Sequence, residues 1–448
     1  MQVDTNARTA AKALTDFIKA SPTAFQATAA MQTRLTAAGY TRLNEGELWQ
    51  LQRGKNYVVT RNGSALIAFR LPAGELQGFR IAASHGDNPN FKLKENPEMT
   101  GNGGMTRLNV ESYGGANLST WFDRPLSVAG RVIVREQHTL VTRCVDVGRD
   151  LVMIPSLAIH MNPKVNHGMA CNVQKDMLPV FGLDATLKMA DVVAETLKID
   201  AGEIMGQDLY VYNRQAPSIW GASQEFLSSP RLDDLQCAFS SLNGLFAAAP
   251  SEHQAAVHCC FDNEEVGSGT KQGAGGTFLK DTLIRIVLGL GGTMEDYYRI
   301  VANSLMVSAD NAHAAHPNYL EKADPVHRPR LNGGVVIKHS ANQKYTTDGV
   351  SSALVRMLCE QAGVPYQVFV NRSDMPGGST LGNISTSQVS LNTADVGIAQ
   401  LAMHSACETC GVLDTERLTA FLRCHFESGM TAETDGRFRI AEESHDKD

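Results

Sequence analysis

The segment Gly78-Phe79-Arg80-Ile81-Ala82-Ala83-Ser84-His85-Gly86-Asp87 joins a mostly apolar run to a histidine and an aspartate. A short apolar run that ends abruptly in a loop is typical of a buried β-strand. His85 could bind a metal ion through one ring nitrogen, while Asp87 orients the ring through the other. A loop histidine beside a capping aspartate is the alternative that these residues leave open.

Two further strand-like runs end in acidic residues. Ala255–Phe261 leads into Asp262-Asn263-Glu264-Glu265, and Leu305-Met306-Val307-Ser308-Ala309 leads into Asp310. Ligand sites of open α/β sheets form at the carboxyl ends of strands, so these side chains are expected at one edge of a sheet. Unpaired carboxylates are costly to bury, and a divalent metal ion would supply the missing positive charge.

Glu264 and Glu265 are the most informative pair. Adjacent buried carboxylates repel each other, but one can bind a metal ion while the other accepts a proton from the attacking water. The alternative is a solvated turn that carries two charges. The apolar run before the pair and the small residues after it favour the metal interpretation.

The histidines are weaker candidates when each is considered alone. His313 and His316 lie in a loop of small residues after Asp310, and they could be ligands, oxyanion donors, substrate contacts or solvated side chains. His404 follows an apolar stretch and would ordinarily be a core residue. Asp233 and Asp234 open a predicted helix, where acidic residues are favourable without any metal.

The pattern of elements predicts an α/β fold in two units. The chain has 448 residues, which is long for one core. Residues 1–95 and 225–448 alternate helices and strands, including a predicted short strand at Val389-Ser390-Leu391. Residues 96–224 are glycine-dense and predicted to be mostly β, so we expect them to form an inserted unit that contributes surface for assembly.

Composition excludes several classes of function. The net charge of -7 argues against a nucleic-acid partner, and no apolar stretch approaches the length of a bilayer span. The N-terminus has no basic segment followed by an apolar run, so a secretory signal is not expected. Nine scattered cysteines are typical of a reducing cytoplasm. Cys407 and Cys410 form a Cys-x-x-Cys pair that is expected to be structural, with a redox-active pair or half of a zinc site as the alternatives.

Taken together, these motifs resemble the aspartyl aminopeptidase family of dinuclear zinc peptidases. The matching segments occur in the family's order and span nearly the whole chain: Ser84–Pro89, Trp121–Arg124, Pro230–Asp233, Asp262–Ser268, Ser308–Tyr319 and Gln400–Ser405. The resemblance implies a mixed-sheet zinc-peptidase catalytic domain with helices on both faces. It also implies that residues 96–224 form a dimerisation domain.

The resemblance also implies a role for each candidate residue. Asp233 would bridge two divalent ions, most readily Zn²⁺, with Co²⁺ or Mn²⁺ as alternatives. The other implied metal ligands are His85 and Asp310 at one ion and Glu265 and His404 at the other. Glu264 would be the general base and Asp87 would support His85. His160 would reach a neighbouring subunit's site and help to stabilise the oxyanion.

The implied activity is removal of N-terminal Asp or Glu from peptides. Lys338 would bind the acidic side chain of the substrate, with His313 and His316 as further substrate contacts. The resemblance further implies self-association into a tetrahedral homododecamer built from dimers. Two rival hypotheses remain, namely a dinuclear amidase or deacylase, and a non-catalytic assembly or cargo protein that keeps the same fold.

Overall fold

The computed structural model describes residues 3–100 and 103–441. The helices within these ranges are α1 Thr5–Lys19, α2 Ala24–Ala37, α3 Val173–Asp176, α4 Met189–Leu197, α5 Leu232–Ala247, α6 Phe278–Gly289, α7 Met294–Ala302, α8 Gly349–Gln361, α9 Leu381–Ser385 and α10 Asp414–Glu427. The first ten strands are β1 Thr41–Leu43, β2 Asn56–Arg61, β3 Ala65–Arg70, β4 Gly78–His85, β5 Asn90–Thr100, β6 Thr106–Tyr113, β7 Leu126–Glu136, β8 Thr139–Asp146, β9 Val180–Gly182 and β10 Ile204–Asn213. The later strands are β11 Ser218–Trp220, β12 Phe226–Ser229, β13 Gln254–Phe261, β14 Leu305–Ala309, β15 Ala312–His313, β16 Val335–His339, β17 Tyr366–Val370, β18 Asn392–Leu401, β19 Glu408–Gly411, β20 Gly429–Thr434 and β21 Arg437–Ala441.

A large mixed sheet forms the main body. Its principal strand order is β1-β2-β3-β13-β4-β14-β18-β19-β12-β11, and β15, β16 and β17 pair beside β18. The four neighbouring strands β13, β4, β14 and β18 are mutually parallel. Their carboxyl ends therefore lie side by side at one edge of the sheet.

Helices cover both faces of this sheet. Along β4, Ala82 packs into a core that includes side chains of α1, α5, α8 and α10. Its neighbours Ile81 and Ala83 point to the opposite face, into a core that includes α6 and α7. Alternation of side chains along a strand produces these two cores. The predicted α/β architecture with helices on both faces is confirmed.

A second, antiparallel sheet lies within the chain between α2 and α5. Its strand order is β8-β7-β10-β5-β6-β9, and it packs against α4 in a hydrophobic core of its own. The sheet contacts the main body directly, since the Gln26 amide in α2 donates to the Gly130 and Val145 carbonyls at 2.8 and 2.9 Å. Strand β5 runs through residue 95, the boundary that the sequence predicts.

Several predicted elements match the structure closely, and one is wrong. The expected strand at Val389-Ser390-Leu391 is an irregular, bent segment, and the strand begins instead at Asn392 and continues to Leu401. Polar and small residues at its start hide β18 from a search for apolar runs. Cys407 and Cys410 are both free thiols. In residues 3–100 and 103–441, no helix combines the length and apolarity needed to cross a membrane.

Candidate metal centre

The carboxyl edge of the parallel strands gathers the predicted side chains. His85 ends β4, Asp310 directly follows β14, and His404 follows β18. Glu264 and Glu265 occupy a single 3₁₀ turn after β13. Asp233 reaches the same edge from the first turn of α5, where its backbone dihedrals are not helical.

Asp233 lies between the two histidines. One of its carboxylate oxygens is 3.7 Å from His85 Nε2, and the other is 3.3 Å from His404 Nε2. His404 Nε2 is also 3.4 Å from the Glu265 carboxylate. Each histidine therefore faces a different carboxylate oxygen of the buried Asp233. A carboxylate that bridges two metal ions needs this arrangement.

Three overlapping groups of side chains could each hold a metal ion. Within each group, the potential ligand atoms lie within 4.8 Å of one another. The groups among the described residues are His85, Asp233, Asp234 and Asp310; His85, Glu264 and Glu265; and Asp233, Glu265 and His404. The structure thus brings together all five predicted ligands and Glu264.

Asp87 contacts both His85 and the backbone of the turn that carries the two glutamates. Its carboxylate is 3.4 Å from His85 Nδ1 and accepts backbone N–H groups of Glu264 and Glu265, each at 3.2 Å. The hydroxyl of Tyr113 donates to the same carboxylate at 2.7 Å. Asp87 therefore positions both a histidine and the turn that carries the two glutamates.

The electrostatics of the cluster show an excess of buried carboxylates. Burial, with neighbouring carboxylates such as Asp310, raises the pKa of Glu264 to about 8. Burial likewise raises the pKa values of Glu265 and Asp310. Although burial opposes its charge, His404 has a pKa raised to about 10 by Asp233 and Glu265. These shifts indicate that the site favours additional positive charge.

The donor set fits zinc. Among the described residues, Asp233 Oδ1, Asp234 Oδ1 and Glu265 Oε1 are buried oxygens without a hydrogen-bond partner. Such orphaned oxygens are costly unless a cation satisfies them. Imidazole nitrogens combined with carboxylate oxygens are ligands that Zn²⁺ accepts readily.

Two residues of the metal centre, Asp234 and Glu408, were not predicted as site residues from the sequence. Asp234, expected to be a helix-capping acid, is fully buried and accepts the His85 N–H at 3.2 Å. Glu408 is buried in β19 and accepts the N–H of Asp233 at 3.0 Å and that of His404 at 2.8 Å. No local sequence signal marks Glu408, because its partners lie elsewhere in the chain or beyond a turn.

The predicted substrate residues lie in different surroundings. His313 and His316 line a cavity of about 300 Å³ together with Phe369, Gln400 and Ala402. Lys338 is buried in β16, and its ammonium lies 3.2 Å from the Asp310 carboxylate. Although burial opposes its charge, Asp310 and neighbouring groups raise the pKa of Lys338.

His160 lies apart from the ligand groups. It is exposed in the irregular segment that connects strand β8 of the second sheet to helix α3. The structure of one chain therefore does not place His160 at the cluster.

Comparison with known proteins shows where this site belongs. The profile of the family described as Aminopeptidase I zinc metalloprotease (M18) matches residues 17–426. The chain belongs to the M18 family of zinc aminopeptidases. A probable M18 family aminopeptidase 2 of Clostridium acetobutylicum is 46% identical over 413 residues, covering 90% of this chain and 95% of the relative. A protein of the same description from Pseudomonas aeruginosa is 42% identical over 424 residues, covering 93% of this chain and 97% of the relative.

Solved structures agree with this assignment. The cryo-EM structure of the Ape4 and Nbr1 complex contains a chain that is 34% identical, with a TM-score of 0.90, covering 95% of this chain and 87% of that one. The mApe1 structure from Chaetomium thermophilum is 30% identical with a TM-score of 0.84, covering 94% and 97%. The predicted family, fold class, zinc requirement and metallo-aminopeptidase activity are confirmed for this M18 protein.

Proposed function

We propose that this M18 aminopeptidase uses two zinc ions to remove Asp or Glu from peptide N-termini. The observation that carries the two-ion proposal is the position of Asp233, whose two oxygens face His85 and His404. His85 and Asp310 would complete one site, and Glu265 and His404 the other. The same donors would also accept Co²⁺ or Mn²⁺.

Glu264 is the proposed general base. When bound, zinc supplies a Lewis acid that polarises the scissile carbonyl and makes water easier to deprotonate. Glu264 takes a proton from the attacking water and returns it to the leaving amine. Its half-buried side chain, which lies beside His85 and Glu265, supports this role. Asp87 holds the Glu264 backbone in place.

Recognition of an acidic side chain is assigned to Lys338, with His313 and His316 along the adjoining cavity. The hydrogen bond from Lys338 to Asp310 uses one of the three donors of the ammonium group. We assign the remaining donors of this buried ammonium to a substrate carboxylate. Although the His313 side chain is exposed, desolvation by its neighbours and the nearby Lys338 ammonium lower its pKa. A neutral imidazole suits a contact at the cavity wall.

Self-association completes the proposal. The mApe1 of S. cerevisiae, 28% identical with a TM-score of 0.83, is described as a dodecamer. We assign a tetrahedral homododecamer to this chain in the cytoplasm. Its dimers would form through the unit at residues 96–224, while residues 1–95 and 225–448 form the catalytic unit. The exposed His160 would stabilise the oxyanion in a neighbouring subunit.

A requirement for a free α-amine separates this proposal from an amidase or deacylase. Release of the first residue would be measured for an Asp-peptide and for its N-acetyl form. We expect cleavage of the free peptide only. Equal cleavage of both, or cleavage of the acetyl group alone, would favour the rival enzyme. A zinc-loaded protein that cleaves neither would favour the non-catalytic protein.

A further inference from the structure

We propose that residues 113–117, the 113–117 segment, position the metal centre from the second sheet. This inference rests on the proposed zinc chemistry. The segment leaves the end of β6 and lies against the carboxyl edge of the main sheet. Four of its five residues, Tyr113, Gly114, Gly115 and Asn117, lie against Asp87, Glu265 or His404, so both sheets build the metal centre.

The first contact is made by the Tyr113 hydroxyl. It donates to Asp87 at 2.7 Å and accepts the Asn263 side-chain amide at 2.9 Å. The ring is buried and packs edge-on against Tyr210, with centroids 5.5 Å apart. Because Asp87 accepts the backbone N–H groups of the Glu264 turn, the hydroxyl fixes the carboxylate that orients the base.

The second contact depends on the absence of a side chain at Gly114. Its φ is +72°, in the left-handed region that favours glycine. A Cβ at this position would lie 3.0 Å from Glu265 Cβ and 3.4 Å from Glu265 Oε2. Glycine therefore allows the segment to pack directly on a proposed zinc ligand.

The third contact fixes the imidazole of His404. The Gly115 carbonyl lies 3.2 Å from His404 Nδ1, and a carbonyl can only accept a hydrogen bond. Nδ1 therefore carries a hydrogen, and Nε2 is the ring nitrogen that faces Asp233 and Glu265. The Asn117 N–H also donates to the His404 carbonyl at 2.9 Å. Partners of this kind set ring orientation and strengthen metal binding.

A matched pair of tyrosine variants tests the hydroxyl. Tyr212 belongs to the same sheet and donates to Asp146 at 2.7 Å, and Asp146 is not one of the proposed metal ligands or their supporting residues. We expect Tyr113→Phe to lower kcat about tenfold or more, because the base loses its alignment. KM and Tm should remain close to those of Tyr212→Phe. Equal kcat values in the two variants would overturn the role of Tyr113.

A matched pair of glycine variants tests the packing on Glu265 without relying on turnover. Gly148 is the control because it has a similar φ of +69°, but a Cβ added there would lie no closer than 3.8 Å to any atom, the Asp146 carbonyl oxygen. Chelator competition should show zinc affinity about tenfold weaker in Gly114→Ala and unchanged in Gly148→Ala. Unchanged affinity in both would contradict the inference. Wild-type protein that binds zinc but releases no amino acid would contradict the proposed function alone, because the affinity comparison would still decide the segment's role.

Discussion

Glu264 and Glu265 are adjacent in sequence but have different surroundings. The Glu265 side chain is only 3% exposed and lies 3.4 Å from His404 Nε2. Glu264 is half-buried, and the Asp87 carboxylate holds its backbone N–H. The fixed, buried carboxylate suits a metal ligand, while the more accessible one suits proton transfer between water and the leaving amine.

Replacement of the base should separate catalysis from zinc binding. We expect Glu264→Gln to lower kcat by about 100-fold or more, since general-base catalysis contributes roughly that much. Zinc content should remain at the wild-type level, as measured by atomic emission. Glu195→Gln, an exposed change in α4, is the control and should leave kcat unchanged. Near-full turnover of zinc-loaded Glu264→Gln would show that another group accepts the proton.

At the residue scale, the sequence identifies acids and imidazoles but not their partners. His85, Glu264 and Asp310 stand out because each follows an apolar run. Tyr113 and Glu408 do not, because their contacts join residues that are distant in the chain or separated by a turn. The adjacent glycines after Tyr113 are a signal that could have drawn attention to a close backbone approach.

At the scale of elements, the apolar runs predict the parallel strands and hence the edge where the site forms. Strand β18 is the exception, because its polar start resembles a loop. Packing requires glycine at position 397 of this strand, because a Cβ there would collide with the Asp310 carbonyl oxygen. That requirement becomes visible only when the neighbouring strand end is in place.

The carboxylates at this edge should make the metal-free protein sensitive to pH. The pKa is raised to about 8 for Glu264 and Glu408 and to about 10 for His404. Between pH 7 and 9, the folded protein therefore retains protons that the unfolded chain has lost. The free energy of unfolding must then fall as pH rises.

Thermal unfolding of the metal-free protein measures this effect. We expect Tm to fall by at least about 2 °C between pH 7 and pH 9, corresponding to roughly 2 kcal/mol for a chain of this length. Zinc-loaded protein should lose less stability, because the metal ions replace the retained protons. A metal-free Tm that rises over this range would contradict the cluster's raised pKa values.

At the scale of the whole molecule, the second sheet carries an exposed apolar surface. Leu157, Ile159 and Met161 flank His160 and are 54%, 46% and 74% exposed. Exposed apolar groups of this kind mark surfaces that other chains cover. The surface lies in the unit to which the sequence assigns assembly.

Solution mass tests the assembly. Twelve chains of 48.4 kDa would give a particle of about 580 kDa by mass photometry. We expect Met161→Glu to reduce the particle mass, because burying an unpaired carboxylate in an interface is unfavourable. Leu48→Glu is the control, since Leu48 is exposed in the main body. A wild-type mass of one chain would exclude the dodecamer.

The central claim is that zinc at this edge drives removal of acidic N-terminal residues. The most direct measurement is hydrolysis of a panel of N-terminal amino-acid anilides, with and without prolonged chelation. We predict fastest release from Asp and Glu anilides, loss of activity after chelation, and recovery on adding zinc. Activity that persists after chelation would contradict the metal mechanism, and equal rates for acidic and neutral residues would contradict the proposed specificity.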